Sequence, residues 1–133
     1  MGIDFGDSRI GIAFSDLMQI IASPYEIYQT KSEEEDLKYL SDLAKKNEVS
    51  KIIFGLPYNM DGSEGERAVI TKQFAQKLRE VSGLEIEFQD ERLSSVEAED
   101  MLREAKVKWQ DRKKFLDKLS ASIILETYMK TRR

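Results

Sequence analysis

A chain of 133 residues, 41% hydrophobic and 35% charged, is expected to form one domain over 1–133 with its own core, since a domain near this size buries roughly two-thirds of its unfolded surface. It has no cysteine and no histidine, which excludes disulfides, thiolate or imidazole metal sites and histidine catalysis, and leaves carboxylates, hydroxyls, Lys, Arg and Tyr for chemistry. No long apolar run or basic-then-apolar opening marks a membrane span or leader, so a cytoplasmic protein is expected. The net charge of -4 conceals a basic stretch from Arg103 to Lys118 that reads either as a nucleic-acid contact or as a solvated helix face.

In chain order, "GIDFGDSRIGIAF" reads as two strands joined by a tight glycine-containing turn. A third extended stretch runs from about Ile20 to Tyr28, where Pro24 lacks an N–H and favours a sheet edge. The period then changes. "SEEEDLKYLSDLAKK" opens with a Ser32-x-x-Glu35 capping box, gathers acids at a helix N-terminus and places Leu37, Leu40, Leu43 and Ala44 on one face. "KIIFGLP" is a short strand of the buried parallel type, stopped by Gly55 and Pro57. An Asp-Gly turn and a second capping box, Ser63-x-x-Glu66, lead a helix whose Ile70, Phe74, Leu78 and Val81 share a face. "EIEFQD" forms the fifth strand, and Ser94-x-x-Glu97 caps a third helix with Ala98, Met101, Leu102 and Ala105 inward. A last helix from about Asp111 carries Leu116, Leu119, Ile123, Ile124 and Tyr128. The order β-β-β-α-β-α-β-α-α starts as an antiparallel meander and continues as right-handed β-α units, which predicts an α/β fold with a mixed five-stranded sheet flanked by helices.

Three acids sit where burial alone would not put them. Asp4 interrupts the first strand, Glu91 ends the fifth, and Asp117 shares a largely apolar helix face with Ser120, Ala121 and Ile124. An unpaired carboxylate facing a core is costly, so it shifts its pKa, finds a cation or binds a metal. Each has an ordinary alternative: a turn aspartate beside Gly6 for Asp4, a lysine pair for Asp117. If the first and last strands are neighbours and the last helix crosses them, the three converge at one sheet edge. Such a cluster needs a hard cation, Mg2+ or Mn2+, and paired ions of this kind support phosphodiester hydrolysis. Strand parity leaves open whether Asp90, on the Ile86–Phe88 side, or Glu91, on the Glu85–Glu87 side, faces that site. Asn59, in a loop after a strand's C-terminal end, reads as a substrate contact or an Asx-turn residue. Lys113 and Lys114 can meet backbone phosphates, and Trp109 can stack a base or pack in a core.

The strings "DFGDSRIGIA", "ASP", "GLPYNMDGS", "DERLSSVEA" and "LDKLSASIILETY" resemble, in order and spacing, the motifs of the YqgF (RuvX) family of pre-16S rRNA nucleases and Holliday junction resolvases. The resemblance spans essentially the whole chain. It implies an RNase H-like fold and a Mg2+- or Mn2+-dependent endonuclease acting on structured nucleic acid, either pre-16S rRNA during ribosome biogenesis or branched DNA. Matched motif by motif, it places the metal-ligating acids on Asp4, Glu91 and Asp117, and makes Arg92 a phosphate contact or a support for those acids. Two other readings stand beside it. The Asp-x-Gly hairpin also resembles the phosphate-binding hairpin of actin-like ATPases and sugar kinases, which pair two such domains, and a binding module can keep the fold without catalysis. Nothing in the sequence reports the oligomeric state.

Overall fold

The computed structural model describes residues 1–19, 21–59, 61–91 and 109–131, with side chains of the last stretch described from residue 119 onward. β1 (Gly2–Phe5) and β2 (Arg9–Ser15) pair antiparallel, Ile3 opposite Ile12 and Asp4 opposite Gly11. The Gly6 N–H donates to the Arg9 carbonyl (2.9 Å) and closes the turn between them. β3 (Ala22–Gln29) joins β2 antiparallel, with the ladder shifting register between Ile12 and Ala13. It begins two residues later than the pattern predicts and occupies the sheet edge, where Pro24 has no ladder bond to lose.

α1 (Glu33–Lys46) starts as its capping box requires, Ser32 Oγ accepting from the Glu35 N–H (3.1 Å). β4 (Lys51–Leu56), α2 (Glu66–Ser82), β5 (Glu85–Asp90) and α3 (Trp109–Thr131) follow. β4 lies parallel between β1 and β5, giving the strand order β3-β2-β1-β4-β5. The first and last strands are therefore not neighbours, and β4 runs through Gly55 rather than stopping there.

Side-chain alternation divides the sheet into two faces. Ile3, Ile10, Ile12, Ile52 and Phe54 meet Leu37, Leu40, Leu43 and Ala44 of α1 and Phe74, Ala75 and Leu78 of α2. Ala13 and Ile53 on the other face meet Ala121, Ile124, Leu125, Tyr128 and Met129 of α3. α3 crosses β1, β2 and β3 and also touches β4 and β5. It approaches β1 so closely that a Cβ on Gly2 would lie 2.8 Å from the Ala121 carbonyl oxygen.

The inner stripe of α2 differs from the apolar one expected. It consists of Ala68, Thr71, Phe74, Ala75 and Leu78, and Val81 is exposed. Thr71 tolerates full burial because its hydroxyl donates to the Arg67 carbonyl (2.8 Å), a bond that polarity-based patterning does not anticipate. The N-cap of α2 is Gly65 rather than Ser63, whose hydroxyl is instead bonded to Asp61 (2.6 Å). The Ser94–Glu97 box and the helix expected after it lie outside the described residues. Among the described residues no helix is long and apolar enough to cross a membrane.

One buried polar contact ties the edge strand to α1. Asp36 accepts from the Tyr28 hydroxyl (3.0 Å) and the Lys31 N–H (2.9 Å), while the Tyr28 ring stacks on Tyr39. Burial first, and then Asp36, pushes the Tyr28 hydroxyl up to about 12. Tyr28→Phe removes one of the two donors to a buried carboxylate and is expected to lower stability by about 1 kcal/mol. An unchanged urea midpoint would contradict this contact's contribution.

Candidate active site

Parity resolves the choice between Asp90 and Glu91. Ile86 belongs to the face packed by α1 and α2, and Phe88 on the same side tilts against Phe54, so Glu85, Glu87 and Glu91 belong to the α3 face. Asp4 belongs to it too, since its neighbour Ile3 points the other way. Glu87, despite sharing this face, is engaged by Lys51 (3.4 Å), whose ammonium also reaches the Tyr128 hydroxyl (3.2 Å).

What brings Asp4 and Glu91 together is a missing side chain on the strand between them. β1 and β4 are aligned with Ile3 opposite Phe54, so Asp4 and Gly55 are each one residue further on. The Glu91 carboxylate leans over Gly55: a Cβ there would lie 2.6 Å from Glu91 Oε2 and 2.3 Å from Ile124 Cδ1 of α3. The Glu91 N–H extends the parallel ladder to the Leu56 carbonyl (3.3 Å), which holds the backbone while the side chain folds back. On its other flank Asp4 faces a second glycine, Gly11. A cavity of about 230 Å³ opens there, lined by Asp4, Gly6, Asp7, Ser8, Arg9 and Gly11 among others.

The electrostatics follow from this crowding. Burial pushes the Glu91 carboxyl up to about 7, the Asp4 carboxylate pushes the same way, Arg67 pulls it back and Asp90 adds a smaller push. Arg67, from the first turn of α2, was not singled out by the sequence reading. Its guanidinium donates to the Phe5 carbonyl (3.0 Å) and to the Asp7 carboxylate, and lies over the Phe5 ring. The only sequence signal was a basic residue early in a helix, a position the helix dipole would not choose.

The remaining predicted residues divide. Asp117 falls within α3, one turn before Ala121 and two before Ile124, both buried against the sheet; its side chain, like those of Lys113, Lys114 and Trp109, lies outside the described residues, as does all of Arg92. Asn59 is exposed and organises its own loop: its amide donates to Ser63 Oγ (3.1 Å), its N–H to the Ser63 carbonyl (2.8 Å), and its Oδ1 sits 3.0 Å from where Gly65 would carry a Cβ. The described residues thus assemble two carboxylates, and no group of three metal-ligating side chains is found among them.

The mixed five-stranded sheet flanked by helices is a fold shared with known resolvases. T. thermophilus RuvC, solved in complex with a Holliday junction substrate, matches with a TM-score of 0.62 at 10% identity, over 98% of this chain and 92% of that one. The fowlpox virus Holliday junction resolvase matches with a TM-score of 0.54 at 16% identity, over 98% and 97%. At such identities the likeness shows the fold, which is RNase H-like. The sequence carries the assignment further. The family described as "RuvX: Holliday junction resolvase" matches residues 1–131. Relatives from Syntrophomonas wolfei and Halothermothrix orenii, provisionally named pre-16S rRNA nucleases, are 45% and 46% identical over 97% of this chain and 92% of theirs. The chain belongs to the RuvX family, a family of phosphodiester-cleaving nucleases.

Two outcomes test the geometry. Gly55→Ala drives a methyl into Glu91 and Ile124 and is expected to destabilise by about 1–3 kcal/mol, with part of the loss recovered by Ile124→Val, which removes the clashing Cδ1. A neutral Gly55→Ala in urea unfolding would refute the close approach. Glu91 keeps its proton to about pH 7 when folded and to about 4.5 when unfolded, so the metal-free native state binds more protons in that window. Stability accordingly falls as pH rises from 4.5 through 7. Glu91→Gln is expected to flatten that part of the midpoint-against-pH curve, and parallel curves would exclude a raised Glu91.

Proposed function

We propose that the chain is a divalent-metal-dependent endonuclease that trims the 5′ end of pre-16S rRNA during ribosome biogenesis, with Asp4, Glu91 and Asp117 as the acidic residues of its centre. The observation that carries this reading is the approach of Asp4 and Glu91 across Gly55 on the face covered by α3. Two carboxylates this mutually unfavourable are a standing site for a cation, and an all-oxygen donor set suits Mg2+ or Mn2+ over softer metals. When bound, such an ion supplies Lewis-acid stabilisation of the phosphoryl group and activation of water.

The protein's own residues do the positioning. Asp4 pairs with Gly11 on one side, and its strand is held by β4 on the other through Gly2 and Ile3, so its backbone keeps a fixed register in the sheet. Gly11 borders the cavity on one flank, which gives a phosphodiester backbone room to approach a short side chain, while the space over Gly55 is taken by Glu91 and Ile124. Ile124 and the Glu91 carboxylate crowd the same space over Gly55. Position 117 lies on α3 one turn before Ala121, which packs on the same sheet face, and this supports its inclusion in the centre.

The relatives named pre-16S rRNA nucleases favour the rRNA substrate, while the RuvX family's resolvase name and the junction-bound RuvC make branched DNA the second reading. Both substrates decide the matter when offered as labelled probes, an rRNA-precursor 5′ fragment and a four-way DNA junction, with Mg2+ or Mn2+. Metal-dependent cutting of the rRNA fragment is expected. Because loss of a residue merely supporting a metal ligand costs roughly 10–100-fold, Asp4→Asn should lose at least about 100-fold. Preferential cutting of the junction would transfer the assignment to DNA. Binding of either probe with no cleavage by the wild type would leave a non-catalytic module.

A further inference from the structure

We propose that Arg67 is a phosphate-binding residue for the substrate backbone, and that Asp7 occupies its guanidinium until nucleic acid displaces it. This rests on the nuclease reading above and names a contact within the same site.

The Arg67 guanidinium is anchored on one side and replaceable on the other. Nη2 donates to the Phe5 carbonyl at 3.0 Å and the group lies 5.8 Å from the centroid of the Phe5 ring. That ring stacks in turn on Phe74 of α2 at 4.4 Å. These contacts are built from backbone and packed aromatics, so they persist whichever anion Arg67 holds. The third contact, Nη1 to Asp7, has a different character. Asp7 is 86% exposed and belongs to the β1–β2 turn, while the Arg67 side chain keeps 36% of its surface open. An ion pair this wet contributes little and is easily exchanged.

A phosphodiester offers the guanidinium what Asp7 offers it, two oxygens in a plane with one negative charge. Location supports the exchange. Phe5, whose carbonyl anchors Arg67, directly follows Asp4, and the Arg67 charge reaches the Glu91 carboxyl. Asp7 also lines the cavity that opens on Asp4, so a backbone entering that cavity meets the Arg67–Asp7 pair beside the carboxylates. The pair thus supplies a cation for the incoming phosphate while keeping that cation neutralised in its absence.

The test is binding, not cleavage: fluorescence anisotropy of the rRNA fragment and the four-way junction with Ca2+ present, over a salt series, with thermal unfolding to verify that each variant is folded. Arg67→Gln should weaken binding about tenfold and lower the slope of log affinity against log salt by about one. Asp7→Asn should tighten binding several-fold, and that gain should vanish in the Arg67→Gln background, because Asp7 acts through Arg67. A purely structural ion pair would instead make both single variants weaker with the salt slope unchanged. A gain from Asp7→Asn that survives without Arg67 would reduce Asp7 to a general field effect; either result overturns the inference. A wild type that binds neither probe overturns the nuclease reading itself, whereas normal wild-type binding with an unaffected Arg67→Gln overturns this inference alone.

Discussion

The site depends on two carboxylates, on strands that are not neighbours, reaching each other across a third. Adjacent strands lie about 4.8 Å apart, so β1 and β5 are separated by about twice that distance. An aspartate cannot span such a gap, and a glutamate can only lean into it if the intervening strand presents no side chain. Gly55 meets that requirement, and Ile124 of α3 then confines the Glu91 carboxylate in the space so made. The difference in length between the two acids is part of the arrangement. The short one stands on the central strand, and the long one reaches inward from the edge.

Crowding like charges in a partly buried place has to be offset, and the molecule offsets it unevenly. Burial and Asp4 together hold the Glu91 carboxyl near neutral pH, with Arg67 working against them. Glu87, two residues earlier on the same face, is relieved by Lys51 at the far end of β4 and takes no part. One end of this face therefore pairs Glu87 with a lysine, and the other gathers Asp4 and Glu91 into one partly buried place with Arg67 acting against the crowding. That asymmetry is what distinguishes a candidate cation site from ordinary surface ion pairing.

The scaffold around this edge is conservative in its physics. α1 and α2 seal one face with leucine, alanine and phenylalanine, and α3 seals the other so closely that Gly2 admits no side chain beneath it. β1 is hydrogen-bonded on both sides and cannot shift without breaking two ladders. The same fold at 10% identity in T. thermophilus RuvC shows that the frame does not depend on one particular sequence. Belonging to the RuvX family then fixes the chemistry more narrowly than the fold does.

Periodicity alone specified the strands, α1 and the mixed sheet, because alternation and 3.6-residue spacing are local properties written in consecutive residues. It misplaced what depends on which particular hydrogen bonds form, and on neighbours distant in the chain. Ser63 matched a capping pattern, yet Asp61 competed for its hydroxyl, and Thr71 was buried because a backbone carbonyl one turn back satisfied it. The acids Asp4 and Glu91 were conspicuous as sequence features, and the family motifs named them. Their meeting was not readable: the reading needed β1 beside β5, and the chain instead inserts β4 and solves the distance with a glycine that had looked like a strand terminator. Arg67 was silent for the same reason, since its partners at Phe5 and Asp7 lie some sixty residues away. Sequence determined which groups exist and on which face of each element they fall. Only the tertiary structure decided which of them share a dielectric environment, since that depends on strand order and on the one position where a side chain is absent.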